Sequence, residues 1–256
     1  MTSSQEIFSQ RSLVIAAHPD DEVIGMGGHL PVFNGVIIHV TDGAPENNTA
    51  GFKTGKEYSE ARRGELLAAM DLAGIEAARC IAFGLMDQKA MFGLHDLTLR
   101  IAAFVDASRP STIFTHPYEG GHPDHDSCAF AVNSAIKLLS KEGSEPLRVL
   151  EFTSYHAGPD GMEMDFLPNS ISPIHVLPLS KEQATLKKRM AECFVTQQDM
   201  IRRFPIEVER FREAPDYDFF QPPHLGALLY EGFNWGVSGK QWRQLACDAR
   251  RSLGMP

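Results

Sequence analysis

Four short, uninterrupted apolar runs alternate with stretches of helical composition: Leu13-Val14-Ile15-Ala16-Ala17, Gly35 to Val40, Cys80-Ile81-Ala82-Phe83 and Thr112-Ile113-Phe114-Thr115. A run without polar alternation reads as a strand buried on both faces, and such strands separated by helices are the pattern of βαβ units. Between and after them, helices are expected over Ser59–Ala73, stopped by Gly74, over Leu94–Ser108, broken by Pro110, and over Asp126–Ser140. The alternation predicts an α/β fold, a Rossmann-like three-layer sandwich with a mostly parallel central sheet.

Further strands are expected at Val149–Tyr155 and Ile174–Leu177. Ser180 to Arg203 reads as a helix opened by a Ser180/Gln183 capping box, with Met190, Phe194 and Ile201 in the core. From Glu207 to Gly239 no clean period appears, and a last helix over Lys240–Leu253 carries Trp242, Leu245 and Ala249 on one side. With 256 residues, 43% of them apolar, one domain is expected, its core at about 12–180 and a helical and irregular part at about 181–256.

No window of about 18 apolar residues exists, so no membrane span is expected, and a polar Met1–Arg11 points to the cytoplasm. Cys80, Cys128, Cys193 and Cys247 are far apart and form no C-x-x-C pair, so most are read as buried small hydrophobes. A net charge of −9 argues against nucleic acid as a partner. Nothing in the sequence opposes a homo-oligomer.

The chemistry-bearing residues gather at strand ends. His18-Pro19-Asp20-Asp21-Glu22 follows the first run directly, where side chains point into the crevice above an open sheet. Imidazole with carboxylate suits Zn²⁺ or Fe²⁺ better than Ca²⁺ or Mg²⁺, although acidic residues there also suit a helix N-terminus. Gly27-Gly28 allows close packing. Thr41-Asp42-Gly43 closes the second run, so Asp42 either reaches the crevice, as a candidate substrate contact, or makes a turn. Polar residues from Pro45 to Tyr58 read as a loop at the rim, a potential lid. Arg62 and Glu65 share a helix face, as an ion pair would, and Asp87 stands at the third strand's end. The fourth run leads into His116-Pro117-Tyr118-Glu119-Gly120-Gly121-His122-Pro123-Asp124-His125, which repeats the histidine and aspartate chemistry at an equivalent place.

Ala17-His18-Pro19-Asp20-Asp21-Glu22 paired with His122-Pro123-Asp124-His125 resembles the LmbE-like (PIG-L) family of metal-dependent N-deacetylases acting on N-acetylglucosaminyl compounds. The likeness extends through Thr41-Asp42-Gly43, Arg62-x-x-Glu65 and Asp87, and thins after residue 140. Where the family often shows a His followed closely by Ser-Gln, this chain has Phe194-Val195-Thr196-Gln197 and no histidine.

The resemblance implies His18, Asp21 and His125 as metal ligands, Asp20 as general base and His122 as electrophilic partner. Three protein ligands would leave a position open for water and substrate, as catalytic zinc sites do. A protonated His122 is expected to steady the oxyanion, with Asp124 either orienting it or capping the following helix. Arg62 resembles the family's substrate-contacting arginine, Tyr118 is a further candidate for the substrate pocket, and Glu22 is assigned to the helix start or to supporting the metal ligands from behind, not to binding metal. The implied activity is removal of an N-acetyl group from a glucosamine-containing small molecule with Zn²⁺, or Fe²⁺ in the cell. Alternatives are an amidase for a larger acyl group or conjugate, and a non-catalytic sugar-binding module, which has no need of a free Asp20. Gly25-x-Gly27-Gly28 does not match the dinucleotide fingerprint, which disfavours a nicotinamide enzyme.

Overall fold

The structure is a computed structural model that describes residues 4–46, 50–140, 147–168, 172–233 and 235–255. In chain order it comprises α1 (Ser4–Ser9), β1 (Arg11–Ala16), α2 (Asp21–Met26), β2 (Asn34–Pro45), α3 (Gly55–Leu72), β3 (Cys80–Asp87), α4 (Leu94–Ser108), β4 (Thr112–Thr115) and α5 (Pro123–Leu139). There follow β5 (Arg148–Phe152), β6 (His156–Gly158), β7 (Gly161–Glu163), β8 (His175–Pro178), α6 (Lys181–Cys193), α7 (Gln198–Ile201), β9 (Val208–Glu213) and α8 (Gly239–Ser252).

Seven strands form one sheet in the order β3-β2-β1-β4-β5-β9-β8. The pairs β1–β2, β2–β3, β1–β4 and β4–β5 are parallel, while β9 runs antiparallel to both β5 and β8. The continuous apolar run of β1 is explained by burial on both faces. Val14 and Ala16 join a core with Leu66 and Met70 of α3 and Met190 of α6, whereas Leu13 and Ile15 join Ile101 of α4 and Cys128 of α5 on the other face. A third cluster sets Trp242 of α8 against Phe130 of α5. Strand order reverses between β1 and β4, which opens a crevice at their C-terminal ends, directly beneath both sequence motifs.

Several boundaries differ from the sequence reading. The expected rim loop from Pro45 to Tyr58 is shorter, because β2 runs on through Thr41-Asp42-Gly43 to Pro45 with two register shifts against β3, and α3 starts at Gly55. Thr54 caps α3 by accepting the Glu57 amide, while Glu57 takes the Lys53 amide in return. Asn47, Asn48 and Thr49 of that loop lie outside the described residues. The long helix expected from Ser180 carries its capping box but breaks after Cys193, with Met190, Phe194 and Ile201 all buried as expected. Within the stretch without clean period lies β9, inserted between β5 and β8. Cys80 and Cys128 are buried, but Cys193 and Cys247 are only half-buried.

Glycines in and after α2 serve packing: a Cβ on Gly28 would lie 2.6 Å from Leu179, and one on Gly25, inside the helix, would run into the Phe152 ring. Beside them a buried ionic group ties α6 to β9. Lys187 donates from Nζ to Glu209 Oε1 at 3.0 Å and to the Ile24 carbonyl at 2.8 Å, while the other Glu209 oxygen pairs with His29. Breaking a buried pair from one side leaves an uncompensated charge, so Lys187→Met is expected to cost on the order of 3 kcal/mol in urea unfolding. Lys187→Met with Glu209→Gln should recover much of that loss. A single-variant cost within experimental error would contradict this account of how α6 is held.

Candidate metal centre and catalytic cleft

The turn from β1 into α2 places Asp20 at φ 135°, ψ −28°, a backbone conformation L-residues other than glycine rarely adopt. Strain of that kind persists where surrounding contacts over-determine it. Here they are specific: the Asp20 amide donates to Glu22 Oε2, which also pairs with His39 Nε2 at 2.8 Å, and Arg62 Nη2 donates to the Pro19 carbonyl at 2.7 Å and to Asp20 Oδ2 at 3.3 Å. Glu22 thus supports Asp20 from behind and is completely buried.

Three donor groups converge at this turn. His18 Nδ1 lies 3.3 Å from Asp21 Oδ2, His125 Nε2 lies 3.3 Å from His18 Nδ1, and His125 Nε2 lies 3.4 Å from Asp21 Oδ1. Each ring is held from its far side. His18 Nε2 faces Asp87 Oδ1 at 3.1 Å and Asp124 Oδ2 at 3.3 Å, and His125 Nδ1 hydrogen-bonds with Ser154 Oγ at 2.9 Å. With both rings neutral and protons held at those outer nitrogens, two imidazole lone pairs and a carboxylate would confront one another in a buried space. Such convergence is unfavourable unless a cation lies between, so the donor set fits a divalent ion of the N/O-binding kind.

Three groupings of potential donors among the described residues overlap this site, His18–His122–His125, His18–Asp87–His122–Asp124 and Asp21–His116–His125, and the members they add to the three groups above are His122, Asp87, Asp124 and His116. They read better as supports. Asp124 already accepts the amides of Gln88 at 2.6 Å and Ala90 at 3.0 Å, and His116 Nε2 accepts the Ala17 amide at 3.0 Å while lying 3.2 Å from Asp21 Oδ2.

Burial disfavours the His18 imidazolium, but Asp87, Asp124 and Asp21 outweigh it and hold its pKa well above the ordinary value. Burial pushes the Asp20 carboxyl up to about 7, opposed by Arg62 and reinforced by Asp21. The reverse holds for Asp21, where burial is overcome by His116 and His125 and the pKa falls well below the usual range.

His122 differs from expectation in charge. Burial, with His18 adding to it, pushes its pKa down to about 3, so the ring is neutral. Nor does Asp124 orient it through a carboxylate bond: the contact is 3.9 Å, and His122 Nδ1 instead accepts the Asp124 amide as the N-cap of α5. Helix α5 begins at Pro123, three residues earlier than expected, so Asp124 sits inside its first turn and caps nothing downstream. Nε2 is left as the donor-bearing nitrogen, facing the cleft.

The cleft of about 530 Å³ is lined by His18, Asp20, Asp21, Arg62, Asp87, His122 and His125, with Tyr155, Gln197 and Trp235 among the groups around them. Arg62 does not pair with Glu65, which instead takes the Thr196 amide and hydroxyl. Its Nε and Nη1 have no hydrogen-bond partner. Gly43, at φ 66°, makes room for it, since a Cβ there would lie 2.7 Å from Nη2.

Two expected substrate contacts lie elsewhere. Tyr118 turns away from the cleft, stacks on Trp242 at 5.1 Å and donates to the Gln221 carbonyl. Asp42 accepts the Ala44 amide in a turn within β2, and its neighbours Gly43 and Pro45, not its carboxylate, line the cleft. At the place of the missing family histidine, Phe194 is in the core while Gln197 reaches the cleft. Trp235, Phe233, Tyr155 and Met200 reach it too, with no motif to announce them. His116 carried a signal, a strand-end His-Pro like His18-Pro19.

Fold and donor cluster together define an α/β protein with a divalent-metal type of site at the sheet's switch point. Residues 13–136 match the family described as PIG-L, GlcNAc-PI de-N-acetylase. A Bacillus cereus protein named probable N-acetyl-alpha-D-glucosaminyl L-malate deacetylase 2 is 30% identical over 152 residues, 55% of this chain and 67% of that protein. The chain belongs to the PIG-L family of de-N-acetylases. Among solved structures, the zinc-inhibited form of teicoplanin deacetylase Orf2 matches with a TM-score of 0.60 at 15% identity, covering 81% of this chain and 100% of that one. GalB, a 4-carboxy-2-hydroxymuconate hydratase from Pseudomonas putida, matches at 0.57 and 17%, covering 81% and 98%. The fold therefore hosts more than one chemistry, and the reaction is argued from the site.

Asp20 gives the site a measurable electrostatic signature. Its pKa is raised on folding, so the stability this group contributes is full below about 4 and is lost as pH rises towards about 7. Asp20→Asn, which does not ionise, keeps that contribution. Thermal unfolding of metal-free protein should show the variant several degrees more stable than wild type at pH 8 and nearly equal at pH 4. Equal melting at both values would contradict a raised Asp20 pKa.

Proposed function

We propose that this chain is a divalent-metal-dependent amide hydrolase that removes an N-acetyl group from a glucosamine-containing small molecule. The observation that carries this is the convergence of His18, Asp21 and His125 with Asp20 free and strained beside them. A sugar-binding module gains nothing from a carboxylate held in that way. Relatives named for deacetylation of N-acetylglucosaminyl malate and of a 2-acetamido-2-deoxy-glucopyranosyl inositol support the substrate class.

His18, Asp21 and His125 would hold the ion, Zn²⁺ or Fe²⁺. Such an ion supplies a Lewis acid and a water acidified to a pKa of about 7. Asp20 Oδ atoms accept the proton of the attacking water and return it to the departing amine, a task suited to a carboxyl poised near 7. The His122 Nε2–H donates to the oxyanion that forms on the amide, a contribution of roughly 3–4 kcal/mol for one well-placed donor. Arg62 holds Asp20 in orientation through Nη2 and turns its remaining N–H groups to a sugar hydroxyl or phosphate. Because one solved structural neighbour is described as zinc-inhibited, ion identity and amount are variables of the assay.

Release of free amine from N-acetylglucosamine derivatives should disappear on chelation and return when Zn²⁺ or Fe²⁺ is restored at stoichiometric amount. Asp20→Asn should retain the metal and lose at least about 10²-fold in kcat. Undiminished turnover by chelated protein, or by Asp20→Asn, would overturn the assignment.

A further inference from the structure

The cleft is graded from floor to mouth. Its floor is ionic and buried: His18, Asp20, Asp21, His122 and His125 are each under 10% exposed. Apart from Asp87, which faces His18, its less buried lining is uncharged and mostly apolar: Phe233 and Trp235 of the C-terminal segment with Ile24, Pro45 and Met200, and Gln88 and Gln197 as polar members. Three rings form a ramp between the two levels. The His122 and Trp235 centroids are 4.9 Å apart, those of Trp235 and Phe233 are 4.7 Å apart at 31°, and Phe233 is 37% exposed.

Charge is distributed in the same sense. Arg62 is the one arginine of the lining among the described residues, it lies at the floor, and one of its nitrogens is committed to Pro19 and Asp20. No lysine lines the cleft among the described residues. A carboxylate or phosphate lying at the mouth would find aromatic faces and no cationic side chain among the described residues, in a site already rich in Asp20, Asp21 and Asp87. An anionic group gains nothing there and loses hydration. An uncharged group with a flat apolar or aromatic face gains the burial and offset stacking that aromatic rings supply.

We infer that the substrate's group beyond the glucosamine ring is uncharged and apolar or aromatic, and that Trp235 and Phe233 are the specificity-determining residues that stack it. The inference rests on the deacetylase reading, since that reading sets the acetamide on the floor and sends the rest of the substrate outward. The acyl group is small and stays below; the ramp serves the opposite end of the substrate.

The test compares two glycosides of N-acetylglucosamine with the same linkage, one carrying benzyl and one carrying malyl, on metal-loaded protein. The readout is the ratio of their kcat/KM values, which a loss of folded protein leaves unchanged. Wild type should favour benzyl by about tenfold or more. Phe233→Ala and Trp235→Ala should bring the ratio towards one, and Phe233→Arg should favour malyl. A wild-type preference for malyl, a ratio that neither alanine variant moves, or a change confined to selectivity among longer N-acyl chains would overturn the inference while leaving the deacetylase reading intact. If neither glycoside releases amine, the deacetylase reading is the one that fails. Binding of the two glycosides, followed by tryptophan fluorescence in wild type and Trp235→Phe, then decides the ramp: preferential quenching by benzyl that Trp235→Phe loses sustains it, and equal binding overturns it.

Discussion

The site depends on one relay, in which Asp87 and Asp124 engage His18 at Nε2 and so commit its Nδ1 to the centre. Carboxylate behind imidazole fixes tautomer and ring orientation and raises ligand basicity. Neither carboxylate is free to wander. Asp124 is pinned by the amides of Gln88 and Ala90, and Gln88 itself sits at φ 67° just past the end of β3. The floor of the cleft is therefore built by three strands at once: β1 delivers His18, β3 delivers Asp87, and β4 leads into the turn that carries His122 and His125. Parallel strands meeting at a switch point make that convergence possible.

The same arrangement separates the acidic groups by environment. Asp21 is held ionised by His116 and His125, while the pKa of Asp20, 42 residues before its partner Arg62, is raised to about 7 by burial. Two adjacent carboxyls thus have opposed pKa shifts, a difference that suits the ligand and base roles proposed for them and that their positions in the chain alone would not produce. His122 is kept neutral in turn, so it can offer the proposed reaction a directed N–H and not a positive charge.

Much of this was readable in the residues. Continuous apolar runs announced β1 through β4, and the strand-end clusters at His18 and His122 announced the site, because both signals are local. Other parts were hidden for physical reasons. Strand β9, Val-Glu-Arg-Phe-Arg-Glu, looks like a surface segment, yet Glu209 and Arg212 are buried because Lys187 and His29 partner the first and Glu119 and Glu151 partner the second. Asp124 neighbours His122 in sequence, but the early start of α5 at Pro123 turns its carboxylate towards β3's end instead. Tyr118 follows β4 as closely as His116 does, yet its ring belongs to the cluster around Trp242. The apolar mouth came from Phe233 and Trp235, more than a hundred residues from either motif and without a pattern of their own.

The central claim is that His18, Asp21 and His125 share one ion while Asp20 stays off it. Anomalous diffraction at a metal edge, from crystals of the metal-loaded protein, tests this most directly. The account predicts a single peak about 2.0–2.2 Å from His18 Nδ1, His125 Nε2 and an Asp21 oxygen, with Asp20 outside the coordination sphere. A peak held by His122, Asp87 and Asp124, or one that Asp20 coordinates, would contradict it.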